Sequence, residues 1–278
     1  MGVPFVLFFV VRFYPQLLNV FYSFTNYDGY SSRFDYVGLA NYAKFFTYRR
    51  MLTSFGNTFA FTICVTVLGA VTQLGMALVL RQGVRGAGFF RSFFYVPLLC
   101  SLVILSIVWN AILRNNGLLN SSLASVGLGT LTHDWTMEVG TAMWSVVLVN
   151  TWLGFGYGVI LFTAGLNSIP PEIIESATID GASGFRMFWS ITLRLIMYSL
   201  TIDLFLGIQT LNTFELIFIM TRGGPRDSTL TVAMCIYEEA FKYERFGFAA
   251  ASSLIFTAIV GALSFIQVRT TRRLEVQY

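Results

Sequence analysis

The stretch Val139–Pro171, VGTAMWSVVLVNTWLGFGYGVILFTAGLNSIPP, contains no Asp, Glu, Lys or Arg. A helix lying on a soluble domain keeps a charged or polar face toward water, and this run offers no charged one. A helix of roughly 20 residues crosses a hydrocarbon core about 30 Å thick, at about 1.5 Å per residue. The run exceeds that length and reads as a transmembrane helix. Phe59–Leu80, Ser92–Leu113 and Phe246–Val268 are equally free of charge, while Gly2–Phe24 carries only Arg12 and Leu195–Phe214 only Asp203. The expected fold is an all-α membrane protein, a single transmembrane domain over residues 1–278 with six transmembrane helices and both termini on one side.

Composition agrees. Of the 278 residues 55% are hydrophobic and 12% charged, and the charged share is about half that of a soluble domain. This excludes a disordered chain, a collagen and a small disulfide scaffold. The net charge of +4 comes from dispersed Arg, with Lys44 and Lys242 as the only lysines. No basic stripe interleaves with a polar face, so membrane lipid, and no nucleic acid, is the implied surroundings. Cys64, Cys100 and Cys235 have no metal-ligand spacing; Cys64 and Cys100 read as small apolar packers. His133 reads as a surface residue, and no metal site is expected. No P-loop lysine exists, so no nucleotide site is expected on this chain.

The first run lacks the basic start and small-residue cleavage site of a signal peptide and reads as a retained helix. Basic residues divide almost evenly between the two sides. The clusters Arg81/Arg85/Arg91 and Arg269/Arg272/Arg273 hug span ends and lean toward cytoplasmic termini.

The loop over residues 167–194 is not a passive connector. Pro170 and Pro171 suit a first helical turn, and Glu172 and Glu175 suit its positive end. Asp180-Gly181 then breaks the helix, and Asp180 or Ser183 is a candidate cap for a second one. Two short helices at an angle make a rigid knob fit for transferring force. The segment opening at Arg222-Gly223-Gly224-Pro225 continues as an amphipathic helix with Glu238, Glu239, Lys242 and Glu244.

The knob resembles the EAA motif of permease subunits of binding-protein-dependent ATP-binding-cassette (ABC) importers. Glu175, Ala177, Asp180, Gly181, Ala182, Phe188, Ile191 and Leu193 stand at the motif's spacing, with Ser176 where Ala is common and Arg194 where Pro is usual. Tyr14-Pro15, Ser23-Phe24-Thr25-Asn26-Tyr27, Val37-Gly38-Leu39-Ala40-Asn41-Tyr42, Thr221-Arg222-Gly223-Gly224-Pro225 and Phe246-Gly247-Phe248 extend the likeness to sugar-importer permeases of MalF/UgpA type. The resemblance implies the MetI-like fold of type I importers. It implies a bacterial or archaeal inner-membrane protein with cytoplasmic termini, paired with a MalG/UgpE-type second permease. Two cytoplasmic ABC ATPase domains would carry ATP and Mg, and an extracytoplasmic solute-binding protein would deliver an oligosaccharide or disaccharide. Glu175, Ala177, Asp180, Gly181, Ala182 and Phe188 are then the ATPase-coupling residues, and the chain itself is no enzyme. A glycerol-phosphate importer permease and a non-ABC secondary transporter are the alternatives.

The same resemblance makes Leu153, Gly154 and Tyr157 candidate substrate contacts, since aromatic faces stack on sugars; helix packing stays open as their other role. Gln209, Asn212 and Thr213 are placed on the path in the same way, with Asn110 and Asn150 as less specific candidates. Arg12 and Asp203, each the lone charge of its span, are expected at matching depth and to compensate one another. Otherwise Arg12 snorkels and Asp203 faces a cavity or the partner.

Overall fold

The computed structural model describes residues 2–81 and 86–272; Arg85 and Arg273 of the basic clusters lie outside the described residues. It is helical throughout, with one antiparallel bridge, between Thr25 and Tyr36, and no strand among the described residues. In chain order the helices are α1 (Gly2–Arg12), α2 (Tyr14–Tyr22), α3 (Ala40–Thr47), α4 (Arg49–Arg81), α5 (Ala87–Leu99), α6 (Leu102–Leu113), α7 (Leu118–Ser125) and α8 (Ala142–Asn167). They continue as α9 (Pro171–Ile179), α10 (Gly184–Met187), α11 (Leu193–Leu195), α12 (Met197–Gln209), α13 (Glu215–Met220), α14 (Val232–Phe241) and α15 (Phe246–Arg272).

All six apolar runs are helical, but they are not six equal rods. Among the described residues four helices are long and apolar enough to cross a membrane, Arg49–Arg81, Leu102–Ser125, Ala142–Asn167 and Phe246–Thr271. A bent pair, Gly184–Leu195 with Met197–Asn212, turning through 73°, adds a fifth. The first run makes α1 and α2, and Phe13 N–H to Phe9 and Leu17 N–H to the Phe13 carbonyl carry the helical ladder across their junction. Together they extend about 31 Å at 1.5 Å per residue.

The run Ser92–Leu113, expected as one helix, is broken. α5 ends at Leu99, Cys100 and Ser101 are extended, and α6 starts at Leu102. Pro97 lies inside α5; it supplies no N–H and crowds the preceding turn. Cys100 consequently sits exposed at the break rather than packed.

Helix α8 is the centre. It packs on α4, α5 and α12, while α15 packs on α2, α3, α12 and α14. A large apolar cluster built from Phe61, Val146, Val149, Leu216, Ile217 and Met220 fills one half of the bundle. A smaller one, of Ala77, Phe162, Leu166, Ile169 and Ile196, fills the end nearer the knob. Between the two clusters the helices leave a space.

Candidate functional site

That space is a cavity of about 380 Å³, midway along α4, lined by α4, α8 and α12 with Leu98 of α5. Its polar lining is Thr66 and Gln73 from α4, Asn150, Thr151 and Tyr157 from α8, Asp203 from α12 and Thr210 just past its end. Gln73 and Asp203 are 6% and 9% exposed. Gln73 Nε2 donates a long 3.4 Å bond to the Gly154 carbonyl. Gln73 Oε1, Thr66 Oγ1 and Thr151 Oγ1 are all buried without a hydrogen-bond partner. Buried polar atoms are nearly always satisfied; two of these three are held against glycine backbone, Gln73 Oε1 at Gly158 and Thr66 Oγ1 at Gly207. The Thr210 hydroxyl is already committed, 2.7 Å from the Gly207 carbonyl.

The cavity exists because glycines let the helices close around it. A Cβ at Gly158 would run into the Gln73 side chain, and one at Gly207 into Thr66. Gly207→Ala therefore forces Thr66 aside, at about 1–3 kcal/mol of overpacking. Thr66→Ala in the same chain should restore most of the loss, because the obstacle is a side chain. Thermal unfolding of the purified single and double variants measures this.

The six residues placed on the path by resemblance separate. Gly154 and Tyr157 line the cavity. Leu153 packs against the large apolar cluster. Gln209 and Asn212 are exposed where α12 gives way to a 3-10 turn, and the Thr213 carbonyl accepts from Thr231 Oγ1. Asn150 faces the cavity, whereas Asn110 donates to the Met220 carbonyl and caps α13. Asp203 is a cavity residue. The expected compensation by Arg12 does not form as an ion pair: Arg12 is exposed on α1 and pairs with no carboxylate among the described residues.

The knob is a helix, a break and a second helix, as its residues dictate. α9 ends on Asp180, Gly181 has φ +80°, and Ser183 is extended at the start of α10. Neither Asp180 nor Ser183 caps the second helix through its side chain. α10 continues through a π turn, Phe188–Thr192, into α11. Ala177 and Ala182 are buried, where they pin the two arms together, and Phe188 is half-buried. Glu175, Asp180 and Gly181 face outward. So do Ile179, 86% exposed, and Phe185, 78% exposed, with the Trp189 ring 5.8 Å from that of Phe185. These three apolar tips stand between the motif positions, and their exposure has no sequence signal beyond that placement.

At the opposite end of the bundle the helix α14 is not a solvated amphipathic one. Glu238 and Glu239 are 6% and 0% exposed. Arg50 pairs with Glu238 and, through Nε and Nη2, with Asp227 at 3.0 Å each. Lys242 reaches Glu238 at 2.9 Å and Arg245 reaches Glu239 at 3.3 Å. The Tyr48 hydroxyl donates to Glu239, and burial, then that bond, push its pKa up. His133 is half-buried, 3.3 Å from Glu138.

Residues 66–276 match the family model described as binding-protein-dependent transport system inner membrane component. The chain belongs to this family. It is thus a multi-pass inner membrane component of a transport system. Its relatives include the multiple sugar-binding transport system permease protein MsmF of Streptococcus mutans, 34% identical over 99% of this chain and 94% of that one. The diacetylchitobiose uptake system permease protein NgcF of Streptomyces coelicolor is 32% identical over 98% of this chain and 81% of its own. The sn-glycerol-3-phosphate transport system permease protein UgpA of Shigella flexneri is 32% identical over 95% and 88%. In fold the inner membrane component is similar to a chain of a bacterial ABC transporter involved in the import of alginate, with a TM-score of 0.82 at 19% identity, covering 98% of this chain and 93% of that one.

Proposed function

We propose that this chain is one permease half of an ATP-driven importer of oligosaccharides or disaccharides, with both termini in the cytoplasm. The observation that carries the reading is the cavity midway along α4, with the Asp203 carboxylate and the Tyr157 ring in its lining, in a chain of this family. Its size suits a small polar guest, and relatives named for sugar uptake support carbohydrate as the guest.

In this reading the chain performs no covalent chemistry. The segment 167–194 is the coupling loop and faces the cytoplasm. Glu175, Asp180 and Gly181 meet the ATPase, Ala177, Ala182 and Phe188 stiffen the knob behind them, and Ile179, Phe185 and Trp189 supply the apolar contact. Two ATPase domains hold ATP and Mg. A MalG/UgpE-type permease completes the path, and a solute-binding protein delivers the sugar. A solved alginate transporter of this fold in complex with a pentasaccharide-bound periplasmic protein is consistent with that arrangement. Access alternates as ATP binding shifts the population between inward-open and outward-open states.

The test is uptake of labelled oligosaccharides into vesicles carrying the assembled importer. Uptake is expected to need ATP on the ATPase side and the binding protein on the other. Uptake driven by an ion gradient without ATP overturns the reading. Gly181→Trp sharpens it. Nothing lies within 4 Å of a Cβ at this position, so the chain itself has room. The cost inside the chain is the left-handed backbone, about 1–2 kcal/mol. The variant should insert normally, bind the ATPases poorly and lose at least about tenfold in uptake, matching roughly 1.4 kcal/mol of coupling. Unchanged uptake and ATPase retention remove Gly181 from the interface.

A further inference from the structure

We propose that Asp203 makes the intramembrane cavity a selectivity filter for charge. It admits neutral or amine-bearing carbohydrates and excludes sugar acids and sugar phosphates. The inference rests on the carbohydrate reading for the guest, but its electrostatic half stands on the geometry alone.

Among the described residues the charge that lines the cavity is negative. Asp203 is the only ionisable acid or base in the lining besides the Tyr157 phenol; no Arg, Lys or His lines it among the described residues. The ion pairs found among those residues lie in the outer segments, and none involves Asp203. Gln73, 6% exposed, also lines the cavity, with its Oε1 packed against Gly158. Its amide is oriented by the bond from Nε2 to Gly154. Thr66 and Thr151 add hydroxyls with no partner, which can donate or accept.

Leu98 and Tyr157 at the rim are 41% and 42% exposed, so the cavity opens at the surface of the chain. A cleft with low-dielectric walls and one sign of charge concentrates its counter-ions by about 10- to 1,000-fold. A sugar hydroxyl or ammonium finds acceptors here. A carboxylate or phosphate finds a like charge, the kind of mismatch by which sites reject a wrong ligand.

The experiment reads the field first. In the full chain, assembled with its importer partners and with Cys64→Ala and Cys100→Ala, Leu98→Cys places a thiol at the rim; Cys235 is fully buried. Labelling rates are compared for a cationic and an anionic methanethiosulfonate. The cationic reagent should be favoured at least about tenfold relative to a free thiol. The preference should persist in Asp203→Glu and collapse in Asp203→Asn, which is isosteric. Equal preference in the parent and Asp203→Asn overturns the proposal.

The second reading is protection of that thiol by diacetylchitobiose, its fully deacetylated diamine and digalacturonate. Protection by the first two alone supports the filter. Protection by digalacturonate as strong as theirs overturns it. If none protects while the reagent preference holds, the carbohydrate reading fails and the cation-favouring cavity remains.

Discussion

Arg50→Met is expected to cost about 3 kcal/mol and to deplete the folded, monodisperse chain, because breaking a buried ion pair from one side leaves an uncompensated charge. The Arg50 side chain is 17% exposed and that of Glu238 is 8% exposed. One guanidinium ties three separate parts of the sequence: the start of α4, Asp227 in the segment before α14, and Glu238 within α14. Asn57 reinforces the junction by donating to the Asp227 and Leu230 carbonyls at 2.7 and 3.1 Å, and Thr58 accepts from the Val232 N–H at 2.9 Å. Lys242 remains on Glu238 in the variant, but its side chain is 58% exposed and cannot replace a buried partner. Arg50→Lys should fall between, since an ammonium cannot reproduce the planar fork on Asp227. Arg50→Met with Glu238→Gln should recover more than half of the loss. Thermal unfolding of the purified chain in detergent checks all four proteins, and an Arg50→Met protein as stable as the parent would sink the account.

This junction also shows what the sequence made legible and what it hid. Helix placement came from runs without charge, because lipid tolerates so few charges that their absence is informative. The knob was legible because Pro, Asp-Gly and Ser act locally, within a few residues. Glu238 and Glu239 resemble a solvated face by the same local logic, and nothing near them reveals Arg50. The pair forms across most of the chain, so only the tertiary structure could show it. Pro97 was in plain view inside its run, yet the break at Cys100 depends on how α5 and α6 pack. Gln73 is the converse case, one amide in an otherwise apolar stretch. Its isolation was a signal of inward orientation, since a lone amide avoids lipid. The role of Asp203 turned on its neighbours: a matching depth suggested Arg12, and the fold gave it a cavity instead.

Gly156→Ala is expected to be strongly destabilising, and Gly154→Ala, two residues away, nearly neutral for folding. The two glycines point differently. A Cβ at Gly154 would have only Gln73 Nε2 near it, at 3.9 Å, an ordinary contact. A Cβ at Gly156 would overlap the Phe94 carbonyl oxygen and lie 2.6 Å from its carbon and 3.0 Å from Tyr95 Cα. The obstacle is the backbone of α5, so no rotamer relieves it and the helix itself must move. Packed cores lose about 1–3 kcal/mol to one surplus methylene, occasionally more, and a backbone clash belongs at the upper end. Shifting α5 also disturbs the edge-to-face pair of Phe94 and Phe155, whose centroids are 4.9 Å apart, and carries Leu98 away from the cavity rim. Phe94→Ala should therefore fail to rescue Gly156→Ala, in contrast to the rescue of Gly207→Ala by Thr66→Ala. Small residues at transmembrane crossings serve either close approach or an open wall. Comparing the unfolding temperatures of Gly154→Ala and Gly156→Ala separates the two on a single helix. Equal losses at both positions would remove the distinction between the cavity-facing and the packing side of α8.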